Sequence, residues 1–229
     1  MAKQKKPMGK DVFNDYYHGI YGERWEALKL SFSSEPSYAE LKHPEGEKPY
    51  YLDSASVLAA SCLPLSEADD ILDLCAAPGG KTLCLSMLMN EDAHLSANER
   101  SPERKHRLAT VVSESLPESI NSRILTSCSD GATWCTRQTE CFDSILLDAP
   151  CSSERHVYLD DKYLSVWTPS RIKVVTTEQW ALLSSAFRLL RKGGYLLYST
   201  CALAPDENDG MIKRLLKKFP EQVELLEPV

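Results

Sequence analysis

Residues whose types and spacing could do chemistry concentrate first in the stretch Ile71 to Thr82, I-L-D-L-C-A-A-P-G-G-K-T. Its apolar start gives way to small residues and a glycine pair, so a ligand could approach the backbone closely. The G-x-G-x-x-G pattern of a dinucleotide loop is absent, and a phosphate loop G-x-x-x-x-G-K-[ST] would need glycine where Cys75 stands. An acidic strand end at Asp73, followed by a loop able to receive an amino-acid moiety, suits S-adenosylmethionine better. The alternative is a glycine turn that binds nothing. Later apolar runs also close on acidic residues: Glu99, Asp130 and Asp148. Glu99 could accept hydrogen bonds from ribose hydroxyls, or simply precede the helix that Ser101-Pro102-Glu103 opens. Asp130 could hold an adenine amino group, or make an Asx turn before Gly131.

These residues need elements that deliver them to one edge. Ile71, Leu72 and Leu74 read as a buried strand, Pro78 with Gly79-Gly80 as its turn, and Thr82 to Met89 as the following helix. That is the first unit of a doubly wound α/β sheet, whose ligands sit at the carboxyl ends of the strands. Further strands are expected at 93–98, 122–128, 142–147, 195–200 and 223–226, with helices at 102–115, 177–190 and 208–219. Arg191-Lys192-Gly193-Gly194 reads as the cap of the second of these helices. Upstream, 3–10 should be mobile, and 11–32 packs aromatics closely, with Trp25, Leu28 and Phe32 spaced as one helix face of core type. Residues 33–49 read as a linker and 50–63 as a helix. The segment Ser153 to Thr168 mixes Glu154, Arg155, His156, Tyr158, Lys162, Tyr163 and Trp167, and reads as a substrate lip whose rings stack on bases while its cations meet phosphate.

Composition narrows the class. A chain of 229 residues, 43% hydrophobic and 26% charged, supports one sizeable α/β core with a small N-terminal appendage. No apolar run approaches the ~18 residues that a spanning helix needs. The basic start M-A-K-Q-K-K-P lacks both the apolar core of a secretory signal and the arginines of a transit peptide, so a cytoplasmic location is expected. Eight cysteines without a C-x-x-C pair read as reduced thiols, with no metal site. The net charge of −7 argues against a strongly basic nucleic-acid binder, although local clusters stand at 3–6, 104–107 and 213–218. The last of these reads as the solvated face of an amphipathic helix.

Three blocks, D-L-C-A-A-P-G-G-K-T (73–82), D-A-P-C-S-S (148–153) and S-T-C (199–201), together resemble the Sun (Fmu) family of RNA cytosine-C5 methyltransferases. The segment around Phe13 to Leu41 and the continuation S-E-R-H after Cys151 look most like the branch containing the mitochondrial small-subunit ribosomal RNA enzyme, which implies a mitochondrial location if the chain is eukaryotic. The resemblance covers about Tyr50 to Leu226. It implies a Rossmann-like methyltransferase fold over 50–229, preceded by an extension and linker at 1–49, with S-adenosylmethionine as cofactor. It places Cys75, Ala76, Ala77, Pro78, Gly79, Gly80, Lys81, Glu99, Arg104, Asp130, Gly131 and Asp148 at cofactor-binding positions. Cys201 matches the nucleophile, Cys151 the cysteine that assists release, and Asp148 a carboxyl that holds or protonates the N3 edge of the base. The family's seventh, antiparallel strand has no counterpart here. A monomer acting on ribosomal or otherwise transfer RNA is expected, with target choice resting on the N-terminal segment, the lip or a protein partner. A non-catalytic RNA-binding or assembly module of the same fold is the second reading. The third, a methyltransferase of small molecules or proteins, suits the acidic charge but not the D-A-P-C and S-T-C blocks.

Overall fold

In the computed structural model, which describes residues 7–227, the chain forms two compact units, each gathered from separated segments. One takes the segments ending at Glu35, 150–179 and 200–218; the other takes 36–149, 180–199 and 219 onward.

The second unit is built on a parallel sheet. A hairpin comes first, β1 (Tyr38–Leu41) pairing antiparallel with β2 (Tyr50–Asp53). The sheet follows with β3 (Asp70–Asp73), β4 (His94–Glu99), β5 (Ile124–Cys128), β6 (Phe142–Asp148) and β7 (Leu190–Ser199), in the order β5-β4-β3-β6-β7 and parallel throughout. Ile71 and Leu72 are fully buried because the central strand is covered on both faces, which is why its sequence is a continuous apolar run. Helices Gly80–Leu88 and Pro102–Ser115 follow β3 and β4, the second capped by Ser101, whose hydroxyl accepts from the Arg104 N–H. The chain leaves β3 toward β4 on one side and later returns on the other with β6. The switch point thus falls between β3 and β6, and the crevice at their carboxyl ends is where ligands bind in such sheets. The fold is the expected doubly wound, Rossmann-like one.

Four expectations for this unit need correction. Residues 223–226 form no strand; Leu225 and Leu226 are each 60% exposed, and the sheet has five strands. Residues 33–49 contain β1, so they are not wholly linker. Tyr50–Asp53 pairs with β1, and the helix begins only at Ser54, where the Asp53 carboxylate accepts from the Ala55 N–H at 3.0 Å. Finally, 191–194 lie inside β7. Phe142 pairs with Leu190 but Ser144 with Tyr195, so the R-K-G-G segment is a bulge. Gly193 supplies its positive φ of 79°, and a Cβ on Gly194 would meet the Asp143 carbonyl at 2.6 Å.

The first unit is helical: Lys10–Tyr21, Arg24–Phe32, Glu154–Leu159, Asp161–Leu164, the start of Ser170–Leu189, and Asp209–Lys218. Phe13, Tyr17, Trp25, Phe32, Val157, Leu164, Trp167 and Ile172 form its core. Tyr17 stacks on Trp25 at 5.2 Å, and Phe13 meets Trp167 edge-on at 5.0 Å. The aromatic stripe is core, as its spacing implies. Of the segment expected to be mobile, 3–6 lie outside the described residues and Lys10 opens a helix. Among the described residues no helix is long and apolar enough to cross a membrane.

Candidate functional site

In the second unit the expected cofactor residues stand at the carboxyl ends of β3, β4, β5 and β6. The loop Leu74–Gly79 leaves β3, passes a cis Ala77–Pro78 bond and turns at Gly79, whose φ of +120° excludes side chains. Gly80 lies under the hairpin, where a Cβ would sit 2.7 Å from Leu52 and 2.9 Å from Tyr50. Arg104 straps the loop to the next strand: it donates to the Ala77 carbonyl at 2.7 Å and meets Glu99 at 3.2 Å. Glu99 is buried and its other oxygen accepts from the Ser101 N–H at 2.8 Å, so it orders the helix entry while closing the end of β4. Asp130 makes the Asx turn, accepting from the Ala132 N–H at 3.0 Å. Gly131 is needed there because a Cβ would meet Leu74 at 2.8 Å.

Two acidic groups behave differently. Asp148, ending β6, accepts from Lys81 Nζ at 2.8 Å and from the Ser199 hydroxyl at 2.9 Å. Both of its oxygens face donors, the setting of a carboxylate that accepts rather than an acid that donates. Lys81 also reaches the Ser56 hydroxyl at 3.1 Å. Asp73 is buried. Its Oδ2 accepts from Thr82 at 2.7 Å, while Oδ1 has no hydrogen-bond partner. Burial above all pushes its carboxyl up to about 7; the Asp148 and Glu99 charges raise it further, and the Thr82 hydrogen bond and Lys81 oppose.

In the first unit Cys151 and Cys201 face each other, their sulfurs 3.0 Å apart as free thiols, with the Ser153 hydroxyl 3.5 Å from each. Cys201 is exposed and Cys151 half-buried. The hydrogen bond to Cys201, together with burial, raises the Cys151 pKa, and either sulfur can donate to the other. Ser153 adopts a left-handed φ of 52°, a conformation a non-glycine residue holds only when its surroundings fix it.

The lip needs correction. Its residues form two short helices, Glu154–Leu159 and Asp161–Leu164, with Glu154 and Trp167 buried. Arg155 donates to the carbonyls of Phe32 and Ser34, at 3.0 and 2.6 Å, and it remains exposed, as do His156, Lys162 and Tyr163. Sequence reasoning missed the Lys81–Asp148 pair, the Arg104 strap and a buried network around Ser152. The first two join residues far apart in sequence and carry no local signal.

A doubly wound parallel sheet with a small-residue loop after its central strand, joined by sequence to a facing cysteine pair, is a Rossmann-like fold of the methyltransferase type. The chain belongs to the family described as 16S rRNA methyltransferase RsmB/F, whose model matches residues 60–228. It is 36% identical over 183 residues to ribosomal RNA small subunit methyltransferase F of Erwinia tasmaniensis, a match covering 77% of this chain and 37% of that protein. It is 33% identical over 173 residues to the 5-cytosine rRNA methyltransferase NSUN4 of Xenopus laevis, covering 73% and 42%. The crystal structure of NSun6 from Pyrococcus horikoshii superposes with a TM-score of 0.64 at 28% identity, over 84% of this chain and 49% of that one. The chain thus spans about two fifths of the length of the curated relatives it matches.

Proposed function

We propose that this chain transfers a methyl group from S-adenosylmethionine to C5 of a cytosine in ribosomal RNA, through a covalent adduct on Cys201. The facing thiols carry this reading: Cys201 exposed, Cys151 half-buried 3.0 Å away. Ribosomal RNA as substrate is supported by the activity for which both relatives are named, and cytosine by that of NSUN4. The place of action is then wherever ribosomes are assembled, the bacterial cytoplasm or the mitochondrion.

The residues present fit the cofactor. The loop turns at the positive-φ Gly79 without a side chain, Glu99 places a carboxylate at the end of β4, and Asp73 holds a buried oxygen that lacks a partner. Cys75 to Lys81, Glu99, Arg104, Asp130, Gly131 and Asp148 would hold it, with Arg104 keeping the loop and Glu99 in register. When bound, it supplies an electrophilic methyl group. Cytosine C5 is a poor nucleophile; the Cys201 thiolate adding at C6 makes it a reactive enamine carbon. Asp148, paired with Lys81, accepts hydrogen bonds from the pairing edge of the base. After transfer the C5 proton passes to a base, the electron pair of the C5–H bond re-forms the C5–C6 double bond, and Cys201 leaves C6 as the thiolate. Cys151, facing Cys201, assists that release.

The two cysteines must therefore fail in different ways. Cys201→Ala abolishes both methylation and any covalent protein–RNA species, whereas Cys151→Ala forms the adduct and leaves it unresolved, a slow-migrating band on a denaturing gel. Turnover persisting in Cys201→Ala would end the covalent mechanism, and a trapped band appearing only in Cys201→Ala would exchange the roles.

A further inference from the structure

Next to Cys151 in the chain stands a buried polar network that the methyl-transfer chemistry does not use. The Ser152 hydroxyl lies within hydrogen-bond reach of two carboxyl groups at once, Glu154 Oε1 and Glu207 Oε1. All three residues are 0–1% exposed. A hydroxyl has one proton and donates to one acceptor. The second contact therefore needs a proton on the carboxyl side, since two carboxylates would set lone pair against lone pair and bury two uncompensated charges together.

The remaining partners locate that proton. Glu154 Oε1 also receives the Tyr17 hydroxyl, and its Oε2 receives the Leu203 N–H at 3.0 Å, so donors face both oxygens. Glu207 Oε2 receives the Ser152 N–H at 2.9 Å and Gln179 Nε2 at 3.0 Å, and its Oε1 points at the Ser152 hydroxyl. We infer that Glu207 is held as the neutral acid, donating to Ser152, which donates to the Glu154 carboxylate, and that this chain of one proton positions the two thiols. Burial raises the Glu207 carboxyl, and the Glu154 charge adds to it, against the hydrogen bonds from Ser152 and Gln179.

The straps are reciprocal. Glu207, six residues after Cys201, holds the N–H of the residue beside Cys151; Glu154, three residues after Cys151, holds the N–H of Leu203, two residues after Cys201. Each cysteine's segment is pinned by a carboxyl from the other's. Glu154 and Glu207 are positioning residues, and the assignment rests on reading the thiols as the reacting pair.

An amide can replace a neutral acid but not a carboxylate facing three donors. Glu207→Gln should keep the thiols in register, its amide N–H donating to Ser152, while Glu154→Gln and Glu207→Ala should loosen them. The readout is oxidation of the full chain by the azo reagent diamide. Both thiols lose a proton and an electron to the azo group, a sulfur–sulfur bond forms, and the azo compound becomes a hydrazine; the Cys151–Cys201 peptide is quantified by mass spectrometry. Glu207→Gln should react within about twofold of the parent and the other two variants roughly tenfold more slowly, as expected when paired groups lose their mutual orientation. Glu207→Gln as slow as Glu207→Ala would overturn the proton assignment, as would Glu154→Gln reacting at the parent rate. If Glu154→Gln does not fold, infrared spectra decide: the carbonyl band of buried neutral carboxylic acid must weaken in Glu207→Gln, and a band unchanged there refutes the proposal. Because the thiol reaction needs neither RNA nor cofactor, this asymmetry can hold even if methylation is not found, which separates the two failures.

Discussion

Asp73 carries the least comfortable charge in the second unit, a buried carboxylate with one oxygen unpaired and its pKa pushed up to about 7 from an ordinary 3.8. The folded state therefore holds this proton more tightly than the unfolded chain. Between about pH 4 and pH 7 the unfolded chain binds fewer protons, so stability falls as pH rises through that window and the whole loss is present above it. An amide at this position has no proton to lose and can still bond Thr82. Asp73→Asn should therefore gain on the parent protein as pH rises from 5 to 8, by about 1–3 kcal/mol in urea unfolding of the cofactor-free protein. A difference that stays constant across that range would mean that Asp73 is ionised throughout.

At the scale of elements, the start of the sheet is tied by Arg191. From the bulge of β7 it donates to both oxygens of Asp143 at 2.7 Å and to Asp70 at 2.8 Å, joining β7, β6 and β3. Burial works against ionised Asp143, but hydrogen bonds from Arg191 and from the N–H groups of Asp70 and Asp69 outweigh it and hold the carboxyl below its ordinary value. Such a group stabilises above the usual carboxylate range, and the contribution is lost as pH falls through the lowered folded value. Arg191→Met should cost about 1–2 kcal/mol at pH 7, a modest figure for a half-exposed network, and the gap should close toward pH 3. Equal costs at both pH values in denaturant unfolding would count against the ion pairs. This tie also shows where sequence reading stops. The strand ends at Asp73, Glu99 and Asp148 are legible because an apolar run closing on an acid is a local pattern. R-K-G-G fits a helix cap and a bulge equally well, and only the register of Phe142 and Ser144 decides. V-E-L-L at 223–226 has the composition of a strand but finds no sheet edge. Glu154 and Glu207 are hidden for another reason: charged residues are expected in solvent, and nothing local says that a serine between them will carry a shared proton.

For the whole molecule, net charge and substrate pull in opposite directions. A chain at −7 repels RNA at long range, so binding must come from local cations. Two of the basic clusters noted in the sequence lie among the described residues. One lies on helix Pro102–Ser115, where Lys105, His106 and Arg107 follow Arg104. The other lies on helix Asp209–Lys218, which buries Met211 and Leu215 and leaves Lys213, Lys217 and Lys218 on its polar positions. Each phosphate contact releases counterions, and log affinity falls against log salt with a slope of about −0.7 per contact for single-stranded RNA. Engagement of one such cluster gives about two to four contacts, so the slope for a ribosomal RNA fragment should lie near −1.5 to −3. The Lys217→Glu, Lys218→Glu double variant tests which helix is used. A slope lowered by roughly one or more assigns the contact to Asp209–Lys218, and an unchanged slope moves it to the helix that follows Glu99. A slope of zero in filter binding between 50 and 300 mM salt would remove RNA as the direct ligand of this chain.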